Sequence, residues 1–448
     1  MSPSSGPRST FTRLLATAVG LGTALALLPA SATAAPSAVP SAAPTAVPSA
    51  VPEFYDPPAQ LPDADGALIR TEPLALGVRL PGPGGPLPGT ATRLMYRSTD
   101  AGGQPIAVTG AYIEPAADWA HGGPRPLVAL APGTMGQGDQ CAASLALETP
   151  LGIDLGGGSL SVGYENLAIY RFLARGVAVV VTDYAGLGTT DRVHTYVNRV
   201  DEGHALLDAA RAARALDGTS LTADSPVGLY GYSQGGGATA AAAELGAVHA
   251  PELPLVGSYV GAPPADLTEV IEGIDGSALA GAIGWTINGA AHTDPGLGAV
   301  IDEHLNDEGR EALNGTATMC VGDAILRHAF ADTRDWTATG RSVGEIVAAE
   351  PEVRAFLDEQ RVGERVPTGP VRVATGVRDD IVPHAQARQL AADWCASGAD
   401  VTYAPIHLPG LGDGTLLNHL VPLITDQGAA ISWLTDRFNG EGTQGSCP

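Results

Sequence analysis

Not one lysine occurs in the 448 residues; all 24 basic side chains are arginine. Schiff-base chemistry, pyridoxal-phosphate attachment and a Walker-type phosphate loop each need a lysine, so all three are excluded. Metal-binding patterns are missing too. The four cysteines, Cys141, Cys320, Cys395 and Cys447, show no Cys-x-x-Cys spacing, and no His-Glu-x-x-His occurs. No Gly-x-Gly-x-x-Gly follows a strand-like run with an acidic partner beyond it, which argues against a dinucleotide site. Neither a metal nor a cofactor is implied. Positive charge is scarce, since 24 basic against 48 acidic residues leave a net charge of −24. Such a surface repels phosphate backbones, so nucleic acid is not an expected partner.

Apolar length is also limited at the N-terminus. The run Leu14 to Leu28 is short for a membrane span and meets Pro29, so no stable membrane anchor is expected. Arg8 and Arg13 precede that run and Ala32-Thr33-Ala34 follows it. This is the pattern of a secretory signal peptide over residues 1–34, cleaved after Ala34. Residues 35–52 form a Pro/Ala-rich linker that buries little and acts as an extended tether. The folded body begins near Glu53. Four cysteines in an exported chain predict two disulfides, with three pairings arithmetically open. The acidic surface suits solubility in an extracellular medium.

Within the body, short β-rich runs alternate with longer helical patterns, which predicts a mostly parallel sheet flanked by helices. Leu94 to Thr99 and Ile106 to Ile113 read as an opening hairpin. Pro126 to Ala131, Gly176 to Thr182, Val227 to Tyr232, Leu255 to Ala262, Val371 to Thr375 and Val401 to Ile406 read as further strands. A helix is predicted from Asp201 to Leu216, with Leu206, Ala209, Ala210 and Ala213 near one face. Another is predicted from Ala429 to Phe438. Between Pro264 and Pro367 lie roughly a hundred residues of helical and loop character, a length the sheet does not need. An insertion there, at 264–366, reads as a helical cap or lid. The core would then be 53–263 and 367–448.

The strand Val227 to Tyr232 runs into Gly231-Tyr232-Ser233-Gln234-Gly235 and then into an Ala-rich helix. Strand, Gly-x-Ser-x-Gly and helix together describe a nucleophile elbow, in which a tight turn lifts Ser233 above a parallel sheet. A serine is a poor nucleophile at neutral pH and needs a base, which in turn needs an acid to orient it. On this topology the chain order is serine, acid, histidine. Asp379, at the carboxyl end of a predicted strand in Gly376-Val377-Arg378-Asp379-Asp380, supplies the acid. Asp380 competes for that role, but Gly-x-x-Asp spacing favours Asp379 and leaves Asp380 to cap the helix starting near His384. His419, expected in a loop ahead of the last helix, supplies the base. The oxyanion donors are expected to be the backbone N–H groups of Gln234, just after the nucleophile, and Thr134, in Gly133-Thr134-Met135-Gly136 after the strand Pro126 to Ala131.

These stretches together resemble the secreted bacterial lipase family related to yeast lipase A, within the α/β-hydrolase superfamily. The resemblance runs through Phe54 to Pro58, Met95 to Thr99, Pro132 to Gly136 with Cys141-Ala142-Ala143-Ser144, and Asp183 to Thr189. It continues in the elbow, in Gly376 to Pro383, in Trp394-Cys395 and in Trp433 to Gly440. It implies the α/β-hydrolase fold with an inserted cap, hydrolysis of carboxylic esters, often acylglycerols, and the triad Ser233, Asp379 and His419. It also implies that Cys141 pairs with Cys320 and Cys395 with Cys447. Two departures stand out: Pro132 replaces the usual histidine before Gly133-Thr134, and Cys-Ala-Ala-Ser replaces Cys-Ala-Pro-Ser. A backbone donor survives the first. The expected partner is an ester or lipid substrate, met at a lipid–water interface. Rival readings are a short-chain carboxylesterase, a secreted acyltransferase, an exopeptidase and an inactive hydrolase-like binding protein.

Overall fold

The computed structural model describes residues 51–82, 85–154 and 159–448. The expected signal peptide and the Pro/Ala tract up to residue 50 lie outside them. Strand β1 (Leu68–Leu74) leads through a small hairpin, β2 (Leu80–Gly82) and β3 (Gly85–Leu87), into the long pair β4 (Gly89–Thr99) and β5 (Pro105–Pro115). Next come β6 (Leu127–Ala131), helix α1 (Ala143–Glu148), a second hairpin of β7 (Leu151–Asp154) and β8 (Ser159–Val162), α2 (Asn166–Leu173) and β9 (Ala178–Thr182). Then follow α3 (Arg199–Ala215), β10 (Val227–Tyr232), α4 (Gln234–His249) and β11 (Leu255–Gly261). Helices α5 (Leu267–Ile274), α6 (Ala282–Thr293), α7 (Pro295–His304), α8 (Asp307–Thr316), α9 (Val321–His328), α10 (Val343–Ala349) and α11 (Pro351–Glu359) intervene. The chain closes with β12 (Val371–Gly376), α12 (His384–Ala396), β13 (Val401–Ile406) and α13 (Leu417–Phe438).

One nine-stranded sheet in the order β1-β4-β5-β9-β6-β10-β11-β12-β13 organises these elements. Pairings from β9 to β13 are parallel, whereas β1, β4, β5 and β9 pair antiparallel. Strands β6 and β9 are buried throughout, and their unbroken apolar runs are those of strands covered on both faces. Leu206 and Ala209 of α3 cover one face with Ala238 of α4; Phe172 of α2 and Leu434 of α13 cover the other. Glycines bring α4 close to the sheet. A Cβ on Gly235 would fall 2.1 Å from Ala131 O, and one on Gly236 2.0 Å from Gly261 O, so no side chain fits at either place.

The last helix corrects the sequence reading. It begins at Leu417, not Ala429, and it carries His419 in its first turn rather than in a loop. Pro422 lies inside it and argues for a break in any sequence reading, because proline removes one helical N–H. Packing overrides that cost. Pro422 sits against Gly376, where a Cβ would come within 2.8 Å of the proline ring.

The inserted helices share a hydrophobic cluster of their own, which includes Ile283, Trp285, Leu297, Trp336 and Val347. A seam joins them to the loop that follows β6. Gln137 N–H donates to Met319 O (3.0 Å), Val321 N–H donates to Met135 O (2.8 Å), and the disulfide Cys141–Cys320 crosses the same place. Gln137 Nε2 adds bonds to His194 O (2.9 Å) and Trp285 O (3.0 Å). A second disulfide, Cys395–Cys447, ties the C-terminal tail to α12. Among the described residues, no helix is long and apolar enough to cross a membrane.

Candidate active site

Strand β10 delivers Ser233 into a turn with φ 59° and ψ −127°, a backbone that residues other than glycine rarely adopt. The turn is held by Ser233 N–H donating to Gly261 O at 2.9 Å. Ser233 precedes α4 in the N-cap position, yet its hydroxyl makes no capping bond. Tyr232 and Gln234 on either side are buried, while Ser233 is partly exposed. Strain and a hydroxyl without a structural duty are what a nucleophile position needs.

Asp379 follows β12 in a turn closed by its own N–H on Gly376 O (3.1 Å). Its Oδ1 accepts from Ile381 N–H (3.0 Å) and Val382 N–H (2.9 Å), which leaves Oδ2 for His419 Nδ1 at 2.7 Å. Both side chains are buried. A carboxylate on Nδ1 places the proton there and leaves Nε2 as the basic nitrogen. Tyr232 supplies the link to the elbow: its hydroxyl donates to His419 O (2.8 Å), and the two rings lie 5.2 Å apart. Among the described residues no hydrogen bond joins Ser233 Oγ to His419. Such bonds are often loose before substrate arrives. Asp380 does not cap α12, whose N-cap is Pro383 without a side-chain bond. Its Oδ2 accepts instead from Leu416 N–H (3.1 Å), because the chain leading into α13 passes over it.

Gln234 is the first residue of α4, where a backbone N–H has no helical carbonyl to reach. Its side chain points inward, and Nε2 donates to Glu202 Oε1 at 2.7 Å. Glu202 also accepts from Val197 N–H (2.9 Å). Thr134, on the loop after β6, is buried, and its hydroxyl pairs with Tyr196 Oη at 2.8 Å. Elsewhere, stretches quoted above meet in one buried cluster. Asp183 accepts from Ser144 N–H (2.7 Å) and Thr109 Oγ1 (2.8 Å), and Tyr55 Oη lies 2.6 Å from Ser144 Oγ.

The model of the secretory lipase family matches residues 152–446, which span the elbow, Asp379 and His419. The chain belongs to the secretory lipase family. Relatives of the chain include a probable inactive lipase of Mycobacterium tuberculosis, 34% identical over 391 residues, 87% of this chain and 82% of the relative. A secreted triacylglycerol lipase of Malassezia globosa is 30% identical over 312 residues, 69% of this chain and 65% of the relative. Among solved structures, Candida antarctica lipase A aligns with a TM-score of 0.71 at 22% identity, over 86% of this chain and 84% of that one. The fold is the α/β-hydrolase fold, and the chain is a carboxylic ester hydrolase.

A cavity opens beside Ser233 and Gln234 and is walled by Leu267, Ile271 and Ile274 of α5 with Ile381 and Val382. A second cavity lies among the inserted helices, bounded by Ile287, Leu297, Ile301 and Phe356 and reaching His304. The two share Ile271 and Thr286. Thr286 Oγ1 donates to Ala282 O (3.1 Å), so the waist between the cavities offers no free hydroxyl. One group of metal-ligating side chains comes together among the described residues, Asp65, Asp208 and His249. Arg97 and Arg211 already pair with its carboxylates, and His249 Nε2 with Asp208 at 3.1 Å, so the cluster is neutralised by the protein itself.

Glu202 escaped sequence reasoning, which gave it only a place within the helix from Asp201 to Leu216. Burial pushes its carboxyl from the ordinary 4.5 up to about 8. The neighbouring His194, buried and held neutral, is lowered to about 4. Native protein therefore binds a proton at Glu202 that unfolded chain releases between pH 4.5 and about 8. That contribution to stability is complete below pH 4.5 and is lost as pH rises through about 8. Glu202→Gln keeps an acceptor for Gln234 and Val197 but cannot ionise. Its melting midpoint should match wild type at pH 5 and exceed it by roughly 4 °C at pH 9. Parallel curves across that range would remove Glu202 as the titrating group.

Proposed function

We propose that the chain is a secreted lipase that hydrolyses acylglycerols through Ser233, His419 and Asp379. The observation that carries this reading is the 2.7 Å Asp379–His419 bond on a histidine held against the elbow by Tyr232. Ser233 Oγ attacks the ester carbonyl carbon while His419 Nε2 takes its proton. The N–H groups of Gln234 and Thr134 hold the oxyanion. Collapse expels the alcohol with that proton and leaves an acyl-enzyme, which water then hydrolyses by the same route reversed.

The two apolar cavities support an acyl rather than a peptide substrate, since they offer no charged group at the Ser233 end. We take residues 264–366 as a cap over that channel. Each methylene buried there contributes about 0.8 kcal/mol, so chain length is read out in kcat/KM. Purified protein assayed on p-nitrophenyl esters from acetyl to palmitoyl, with emulsified triacylglycerol alongside, tests the reading. Turnover should extend to the long esters and to triacylglycerol. Activity confined to the shortest esters identifies a short-chain carboxylesterase instead. Placing tryptophan at the waist, Ile271→Trp, should lower kcat/KM for palmitoyl esters by at least roughly tenfold and leave acetyl esters within about threefold. An equal loss on both would take the acyl chain out of this channel. Secretion rests on the N-terminal pattern and is checked by finding Ala35 as the first residue of protein recovered from the medium.

A further inference from the structure

Three consecutive peptide units run from Pro132 to Met135, and the protein treats their polar atoms unequally. The first unit is gripped at both ends: Tyr184 Oη donates to Pro132 O at 2.6 Å, and Gly133 N–H donates to Glu165 Oε1 at 2.8 Å. The third is gripped at its oxygen, where Tyr164 Oη donates to Thr134 O at 3.1 Å. The middle unit carries Thr134 N–H, which among the described residues reaches no acceptor. Thr134 is only 5% exposed. A buried N–H left without a partner costs about 1–3 kcal/mol, so a fold that pins both neighbours and spares this one is keeping it for a ligand.

Position supports the same conclusion. A Cβ on Gly133 would lie 3.1 Å from Tyr232 O and one on Gly235 2.9 Å from Pro132 O, so the loop touches the chain on both sides of Ser233. Gly133 has no room to change, since its Cβ would also fall 2.5 Å from Tyr164 Oη. Glu165 precedes α2 in the N-cap position, yet its side chain does not cap that helix and turns inward to Gly133. Burial pushes its carboxyl up to about 7, a cost that helix capping at the surface would avoid.

We propose that Glu165 is a positioning residue, which fixes the Pro132–Gly133 peptide plane and so aims Thr134 N–H at the oxyanion. This rests on the reading of Ser233 as the nucleophile. Glu165 touches no reacting atom and acts through the loop alone.

The test is steady-state kinetics on p-nitrophenyl butyrate for wild type, Glu165→Leu, Glu165→Gln, Tyr184→Phe and Ser233→Ala, each with its melting curve. Displacing a donor by about an ångström costs roughly 100-fold in rate. Glu165→Leu should therefore lower kcat about 100-fold with KM within twofold, the sign of an interaction made only in the transition state. Glu165→Gln keeps the acceptor and should recover kcat to within about threefold of wild type. Tyr184→Phe, which frees the other end of the same peptide, should lower kcat by roughly tenfold with KM unchanged. A folded Glu165→Leu with wild-type kcat overturns the proposal and leaves the Ser233 reading standing. If Glu165→Leu does not fold, Tyr184→Phe decides, and wild-type kcat there overturns it equally. Ester turnover that survives in Ser233→Ala removes the catalytic reading and this proposal together.

Discussion

Ser233→Ala should abolish ester turnover, with kcat reduced at least about 10⁴-fold, while the melting midpoint should stay within roughly 1 °C of wild type. The rate loss follows because the other hydroxyls lining the cavity beside Gln234, those of Tyr196 and Thr286, are already engaged with Thr134 Oγ1 and Ala282 O. Residual rate above solution would come from the oxyanion donors and binding alone. Stability is spared for a separate reason. The Ser233 hydroxyl makes no capping bond, and alanine meets the same backbone strain at φ 59° that serine does. The bond that shapes the turn is the main-chain contact to Gly261 O, which the substitution retains. Measuring turnover and unfolding on the same preparations separates a lost nucleophile from a lost fold. Activity within tenfold of wild type would sink the mechanism.

Asp379→Asn should cost kcat about 10⁴-fold, whereas Asp380→Asn should stay within a few-fold of wild type. Asparagine at 379 can still accept from Ile381 and Val382 through Oδ1, so the turn after β12 survives. That choice turns its NH₂ group towards His419 Nδ1. The imidazole must then carry its proton on Nε2, and a protonated Nε2 cannot take the proton of Ser233. Among the described residues Asp380 makes no hydrogen bond to His419; it accepts from Leu416 N–H, a bond that an asparagine oxygen also provides. Comparing the two variants therefore assigns the acid. Equal losses would mean that the turn itself, and not the carboxylate on His419, had been damaged.

Much of the sheet was legible because its central strands are covered on both faces and need unbroken apolar runs such as Leu127 to Ala131 and Ala178 to Val181. The close approach of α4 was legible for a related reason, since only glycine satisfies distances as short as 2.1 Å to a neighbouring carbonyl. The start of α13 was not. Pro422 is a local signal for a break, and the contact with Gly376 that offsets it lies 46 residues away in the chain. Asp380 was misplaced for the same cause, as its partner Leu416 is brought to it by tertiary structure. Glu165 and Glu202 left no signature at all. Each is one acidic residue beside a helix start, and only the folded chain turns it inward.

The seam between Met135–Gln137 and Met319–Val321 has a consequence for engineering this molecule. The loop that bears Thr134 and the turn between α8 and α9 are stitched edge to edge and locked by Cys141–Cys320. They behave as one inheritable module. A chimera that imports foreign helices to change chain-length preference must import the partner loop and both cysteines with them. Otherwise the graft arrives with its own selectivity and without the seam that braces the Thr134 loop.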